Sequence, residues 1–341
     1  MNTSALFSFL VLLIACNECA IGGTQPGRVI GWGFGGGQDL GHVTSDFRQY
    51  VTVEGVELTN IIAVAAYSHR AMALKGDGTV VVWGYVGADT PLLTVPTGLG
   101  NVTAIALAGD HNLALRADST VVAWGYNPTS PVFEPRAVLP AGVSNVVAIA
   151  GAGLETLVLK RDGTIQRWGG PDRLPPAGLS NIVALACGVH FGDDLALRRD
   201  GIVVEWPTYF VPDPYTMPPG LTDVISIASG SAHALALKKD GTVVAWGFPR
   251  FDYMNPNNGQ LDVPAGLSNV VAIAGGPSIS LALKKDGTVV VWGDNHHHQV
   301  DLAAGLSNIE AVAAGYDFCL AIQTNSVGSV TNAINKTIPD K

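Results

Sequence analysis

The chain has 341 residues, a formal net charge of −9, 14% charged and 48% hydrophobic residues, and 41 glycines. That composition suits a large all-β globular core. No apolar run is long enough to span a membrane, no polybasic tract is present, and the negative balance opposes binding to a phosphate backbone, so no nucleic-acid partner is expected.

The chain opens on an apolar stretch, Leu6 to Ala15, about as long as a signal-peptide core, and residues 1–22 are read as an export signal. Two processing routes stay open. Leu13-Ile14-Ala15-Cys16 resembles a bacterial lipobox, which makes Cys16 a candidate lipidation site and the sole route to a membrane. The alternative is cleavage after Ala20-Ile21-Gly22, a small-x-small site. Either route implies a secreted, periplasmic or outer-surface lipoprotein. Cys187 and Cys319 fall in different repeats and read as buried apolar residues rather than as a disulfide.

Next comes Arg28-Val-Ile-Gly-Trp32-Gly33, a single strand ending in tryptophan. In the long connection to Asn60, Gly35-Gly-Gly37-Gln38 reads as a loop and Val51-Thr-Val53 as an extra edge strand. From Asn60 onward one unit recurs, starting at Asn60, Asn101, Asn145, Asn181, Asp223, Asn269 and Asn308. Six copies end in tryptophan, at Trp83, Trp124, Trp168, Trp206, Trp246 and Trp292; with Trp32 these seven are read as structural residues of the repeat. In the six complete copies an aspartate or its turn, such as Asp240-Gly241, lies six residues before the tryptophan.

Within a copy, short apolar runs such as Val270 to Ala274, Leu281 to Leu283 and Thr288 to Trp292 are bounded by Gly, Asn and Asp, the pattern of strands buried on both faces. The second and third strands are joined by Asp-Gly, which suits a two-residue hairpin with positive φ at both positions. Asp118-Ser119 departs from this, and strain is expected at Ser119. Sheets buried on both faces and repeated seven times stack as blades of a β-propeller. The seventh copy, Asn308 to Ile322, lacks its third strand, so residues 28–33 are expected to pair with residues 318–323 and close the ring. The propeller domain is therefore 28–323. Residues 326–341 form a polar tail outside the repeat.

The pattern Ala-Ile-Ala-x-Gly-x-x-His-x-Leu-Ala-Leu-Lys-x-Asp-Gly-Thr-Val-Val-Ala-Trp-Gly, with Asn258-Gly259-Gln260-Leu261 in a connection, resembles the regulator-of-chromosome-condensation repeat. That resemblance covers about residues 28–323 and implies a seven-bladed propeller. The short copies and the Val-Pro-Ala-Gly-Leu-Ser-Asn lead-in look most like bacterial secreted members of the family, β-lactamase inhibitors among them. The histidine of the motif stands at His233 and His111, is replaced by Glu155, Ile279 and Phe318, is shifted by one at His69, and falls in an expansion at His190. A position that accepts Ile and Phe is structural rather than catalytic or metal-binding.

Antiparallel strands place the Gly-x-x-His loops and the connections after each tryptophan on one face, with the Asp-Gly hairpins on the other. The first face carries a run of aromatics: Tyr209, Phe210 and Tyr215 after Trp206, and Phe248, Phe251 and Tyr253 after Trp246. Together with Tyr67, Phe191 and Tyr316 they are candidate protein-binding residues. His296, His297 and His298 are consecutive and lack a zinc-type pairing, so no metal and no cofactor is expected. No nucleophile elbow, phosphate loop, metalloprotease helix or dinucleotide fingerprint occurs, and Asp193-Asp194 are acids adjacent only in sequence; no enzyme is expected. The functional expectation is an exported, monomeric, non-enzymatic binding module, an inhibitor or scaffold for an unidentified protein partner. The alternative implied by eukaryotic relatives is an intracellular regulator of a small GTPase, of the guanine-nucleotide-exchange type.

Overall fold

The computed structural model describes residues 21–34, 46–85, 90–125, 138–169, 174–188, 193–206, 217–231, 233–247, 250–252, 255–256 and 259–324. These form seven antiparallel blades: 61–84, 102–125, 146–169, 182–206, 224–247, 270–293, and a seventh built from 309–323 and 28–33. In blade 5, Val224–Ser229 pairs with His233–Lys238, which pairs in turn with Val243–Gly247. The first strands of successive blades touch one another in an unbroken cycle, the first strand of blade 7 touching that of blade 1. They therefore surround the axis, and the tryptophan-bearing strands lie outside.

Ring closure follows the expected register. Arg28 pairs with Gln323 and Gly33 with Phe318, so Ile21–Phe34 supplies the missing outer strand of blade 7. Trp32 behaves accordingly: its Nε1 donates to the Gln299 carbonyl at 2.8 Å, as Trp292 donates to the Gln260 carbonyl at 2.9 Å in blade 6. The same strand starts by pairing Ile21, Gly22 and Gly27 with Val64, Ala63 and Ile61 in the inner strand of blade 1, so the end of the expected signal region is in contact with the propeller. The extra edge strand exists, but its place is Asp46–Tyr50, paired with the outer strand of blade 7. Thr52–Val53 instead forms a small hairpin with Val56–Glu57. The Arg28 guanidinium ties these parts together, stacking 3.8 Å over the Tyr50 ring and donating to Tyr50 Oη (2.7 Å) and Glu57 (3.2 Å).

The hairpin differs from the two-residue turn expected. Gly241 N–H donates to the Lys238 carbonyl, Lys238 N–H to the Thr242 carbonyl, and only Gly241, not Asp240, has positive φ. This is a three-residue loop, a type I turn followed by a left-handed residue. The aspartate earns its place through its side chain: Asp240 Oδ1 accepts from both the N–H (3.0 Å) and the hydroxyl (2.6 Å) of Thr242. The pair repeats at Asp77, Asp118, Asp162 and Asp286, and these hydrogen bonds hold the carboxylates below their usual range. Ser119 does take the left-handed conformation, at φ 67°.

The residue that opens each copy is explained by the same chemistry. Asn60, Asn101, Asn145, Asn181, Asp223, Asn269 and Asn308 all have φ between 54° and 60°, a region Asn and Asp tolerate better than other side chains. That conformation turns the next N–H toward the preceding blade, where Val102, Val146, Val224, Val270 and Ile309 donate to the hairpin carbonyls of Gly78, Ser119, Gly201, Gly241 and Gly287. Blades are thus stitched on the hairpin face by backbone bonds and between faces by buried aliphatic layers. Ile105, Leu113, Leu157, Leu185 and Leu195 are fully buried, each worth about 1.5–3 kcal/mol of transfer free energy.

Candidate functional site

The loop face is where the strands that carry the motif histidines begin, and the register assigns one position per blade to that role. Arg70, His111, Glu155, His233, Ile279 and Phe318 each oppose or replace the residue paired with the glycine after tryptophan, as His233 pairs with Gly247. In blade 1 this position belongs to Arg70, and His69 lies one residue outside it. The following residue points to the preceding blade, so each junction is a potential bond. His233 Nε2 donates to Ser280 Oγ at 3.0 Å, and Ser280 passes its own hydrogen to the Gln260 carbonyl. His111 Nε2 and Thr156 Oγ1 are hydrogen-bonded at 2.5 Å, and His111 Nδ1 is hydrogen-bonded to Asp110. Arg70 donates to the carbonyls of Ala108, Gly109 and His111.

The glycine of Gly-x-x-His is there to make room. A Cβ at Gly230 would collide with the His233 ring, and one at Gly315 with the Phe318 ring. Burial drives His233 down to about 4, so its imidazole is neutral in the fold. The histidines of this motif are inter-blade bolts.

Glu155 occupies the same position in blade 3 and meets an acid of blade 4. Arg167 forms a buried ion pair with Glu155, and Asp194 is hydrogen-bonded to Glu155 on the other side. Burial first, then the charge of Glu155, raises Asp194 well above the ordinary carboxylate range. Two acids facing one guanidinium are neutral overall when Asp194 keeps its proton, and its Oδ2 has no other donor to accept from. Asp194 Oδ1 accepts from the Gly188 N–H at 3.2 Å. Next to this group, Trp246 Nε1 donates to Glu205 at 2.8 Å, and burial pushes Glu205 up to about 7, with the Asp193 charge adding to the shift. Ser229 Oγ donates to the Asp193 carbonyl.

This cluster was not legible in the sequence as a cluster. The substitution at Glu155 and the doublet Asp193-Asp194 were both visible, but only the register across two blades joins them.

Of the candidate contact residues, Tyr316 is 50% exposed on the loop face, its ring 5.8 Å from that of His69, while His69 lies 3.5 Å from Asp317. Tyr67 is a correction: it closes the inner strand of blade 1 with only 9% of its surface exposed, packed into the core, because its neighbours Arg70 and Ala66 fix the strand in the blade interior. Tyr209, Phe210, Tyr215, Phe248, Tyr253, Phe191 and Cys16 lie outside the described residues, as does the side chain of Phe251. Sequence reasoning missed two exposed aromatics on this face, Tyr85 (58%) and Phe34, whose ring is 4.9 Å from that of His297. Each directly follows a Trp-Gly pair, which was the available signal. His296 bonds Asp294 and His298 bonds Asp301, so the three histidines diverge; among the described residues no group of three His, Cys, Asp or Glu side chains converges.

Residues 224–260 and 270–299 match the family model for the regulator of chromosome condensation (RCC1) repeat, in agreement with the resemblance read from the repeat. A 76-residue stretch is 37% identical to the mouse E3 ubiquitin-protein ligase HERC2, covering 22% of this chain and 2% of that protein. Among solved structures, Prp20p from Saccharomyces cerevisiae, described with its binding to Gsp1p and histones, superposes with a TM-score of 0.66 at 19% identity over 91% of this chain and 94% of its own. Human WBSCR16 gives 0.61 at 16% identity over 88% and 100%. The ectodomain of the Arabidopsis thaliana receptor kinase ACR4 gives 0.54 at 19% over 71% and 82%. The fold is that of the RCC1-type propeller.

Proposed function

We propose that this propeller is an exported, non-enzymatic binding module that holds a protein partner on its loop face, as an inhibitor or scaffold. The observation that carries the reading is the set of exposed aromatics on that face, Tyr85, Tyr316 and Phe34, on blades 7 and 1, at or just beyond strand ends. Large aromatic side chains are among the preferred anchors of protein interfaces. Tyr209, Phe251 and Tyr253 extend the proposal across blades 4 and 5. Binding of Gsp1p and histones by the yeast propeller of the same fold is consistent with a protein partner. Export rests on the apolar segment Leu6 to Ala15.

Affinity capture from the native compartment tests the face. A Tyr85→Ala, Tyr316→Ala variant and a Tyr209→Ala, Phe251→Ala, Tyr253→Ala variant are each expected to recover at least tenfold less of the partner captured by the wild type. Equal recovery by both variants would remove the loop face from consideration. Mass spectrometry of the mature N-terminus tests export: a start at acylated Cys16, or just after Gly22, supports it, whereas intact Met1 in cytosol would favour the intracellular regulator.

A further inference from the structure

The opposite face carries a surface that the loop-face reading does not use. Every inner strand has a one-residue bulge after its first position, as where Val224 pairs with Lys238 but Ser226 with Leu237. The bulged residue has no place in the ladder and turns out of the blade. Because the inner strands begin on the hairpin face and surround the axis, the seven bulges form a ring about the axis on that face. In blades 3, 5 and 6 they are Val147, Ile225 and Val271, exposed by 37%, 48% and 47%. Ile202, where other hairpins have threonine, adds a fourth exposed aliphatic at 39% in blade 4. Each of these side chains keeps between a third and a half of its surface in water, area that only a partner could cover.

Around the same blades runs an arc of cations. The hairpins of blades 3 to 6 carry two basic residues before the turn aspartate, while blades 1 and 2 carry one and blade 7 none. The first of each pair stays beside the turn: Arg198 lies 2.5 Å from Asp200 and Lys284 3.4 Å from Asp286. The second, Arg161, Arg199, Lys239 and Lys285, is exposed and forms no ion pair with an acid among the described residues, Arg161 reaching only the Ser119 hydroxyl at 3.4 Å. The corresponding residues in blades 1, 2 and 7 are Gly76, Ala117 and Thr324. The arc is one-sided and coincides with the aliphatic part of the collar.

We infer that the hairpin face of blades 3 to 6 docks an extended segment of another protein that alternates carboxylate and apolar side chains, its carboxylates on Arg161, Arg199, Lys239 and Lys285 and its apolar groups on Val147, Ile225 and Val271. Charge complementarity selects this occupant. Each hairpin of blades 3 to 6 carries two cations and one turn aspartate, so the arc offers isolated positive sites spaced one blade apart, which match separated carboxylates, while the net charge of −9 on the whole chain disfavours a dense polyphosphate. The apolar collar gives the segment an anchor that a purely electrostatic contact lacks, and burying each aliphatic side chain removes area that water now covers.

Fluorescence anisotropy tests the site with a labelled dodecapeptide alternating glutamate and leucine. The wild type is expected to bind it and to lose affinity with rising salt. Combined Arg161→Glu, Arg199→Glu, Lys239→Glu and Lys285→Glu should weaken binding at least tenfold, and Ile225→Ser with Val271→Ser at least threefold, with unchanged circular dichroism. Exchanging each arginine for lysine and each lysine for arginine should restore binding. The Tyr85→Ala, Tyr316→Ala variant should bind as the wild type does, so this result stands apart from the loop-face test. Absence of peptide binding, indifference to charge reversal, or tighter binding of a single-stranded oligonucleotide or of phosphatidylserine vesicles would overturn the assignment. Binding that arises only when residues 325–341 are removed would also overturn it, by making the chain's own tail the occupant.

Discussion

Blades 1 to 6 are joined near the loop face by buried directional bonds, whereas in blade 7, assembled from both ends of the chain, the equivalent buried positions are apolar, and its polar links to blade 1, Tyr316 N–H to the Ser68 carbonyl and His69 to Asp317, lie in the loops. His111 with Thr156, Glu155 with Asp194 and His233 with Ser280 bridge one side of the ring. On the other side Ile279, Phe318, Cys319 and Ala71 hold the equivalent positions within a single hydrophobic cluster. A buried hydrogen bond between polar side chains rewards correct geometry and penalises every other arrangement, since an unmatched group keeps its full desolvation cost. Apolar packing has no such directional penalty. The difference suits a ring whose contiguous blades can set their register locally but whose last blade must capture a strand from about 300 residues away in sequence.

The largest effect should come from breaking the apolar closure. Residues 35–341, compared with residues 21–341, lack the outer strand of blade 7 and leave Phe318 to Gln323 as an open edge. The shorter chain is expected to lose cooperative thermal unfolding, read by calorimetry; equal melting of the two would refute closure by residues 28–33. Next in size are single changes on the two sides. Phe318→Ala opens a cavity at the apolar junction and should cost about 3–5 kcal/mol in urea unfolding. Glu155→Leu removes the carboxylate that bonds Arg167 directly, leaving only Asp194 facing the guanidinium, and should cost about 3 kcal/mol. If the second loss were negligible, the polar bolts would be dispensable and the comparison would fail.

A smaller effect separates the sides by pH. Glu205 is raised from 4.5 to about 7, so the fold favours its protonated form: that contribution is complete below pH 4.5 and lost as pH rises through 7. Glu205→Gln keeps an acceptor for Trp246 without the ionisation, so its stability relative to wild type should grow by about 1–2 kcal/mol between pH 4.5 and pH 8, after allowance for partial solvent screening. His233, lowered to about 4, works in the opposite direction, its contribution present above pH 6.5 and lost as pH falls through 4. A flat difference between Glu205→Gln and wild type would show that the carboxyl is not held neutral by its burial.

The repeat made the blade number, the closing strand and the two faces legible, because strand period, turn residues and the absent third strand of the last copy are all local features. The form of the hairpin was not, since Asp-Gly fits a two-residue loop equally well, and the decisive pattern, Thr242 bonded twice to Asp240, depends on a residue after the pair. Tyr67 was misassigned because an aromatic at a strand end looks the same whether it turns in or out. Glu155, Arg167 and Asp194 come together only through the register of blade 3 against blade 4. The bulged collar was hidden for a related reason: Val-Val at 146–147 and 270–271 reads as continuous strand, and only the pairing shows that its second member is expelled.

The smallest effect concerns the hairpin face, where the junctions of blades 1 to 6 also differ from that of blade 7. The carbonyl of the left-handed turn residue accepts from the next blade at Gly78, Ser119, Gly201, Gly241 and Gly287, whereas at the junction of blades 7 and 1 Gly27 pairs with Ile61 instead. Ser119 alone among these acceptors carries a side chain in the left-handed region, which costs about 1–2 kcal/mol. Ser119→Gly removes that strain but loosens the unfolded chain and gives up a long contact from Arg161 at 3.4 Å, so the net gain should be about 0.5 kcal/mol in urea unfolding. Gly241→Ser makes the reverse change in blade 5, where a Cβ would also stand 3.1 Å from the Asn269 nitrogen, and should cost more than Ser119→Gly gains. Opposite signs at the two positions would mean that this turn is the same element in every blade that has it, and that blade 2 tolerates the strain because its bond to blade 3 is kept.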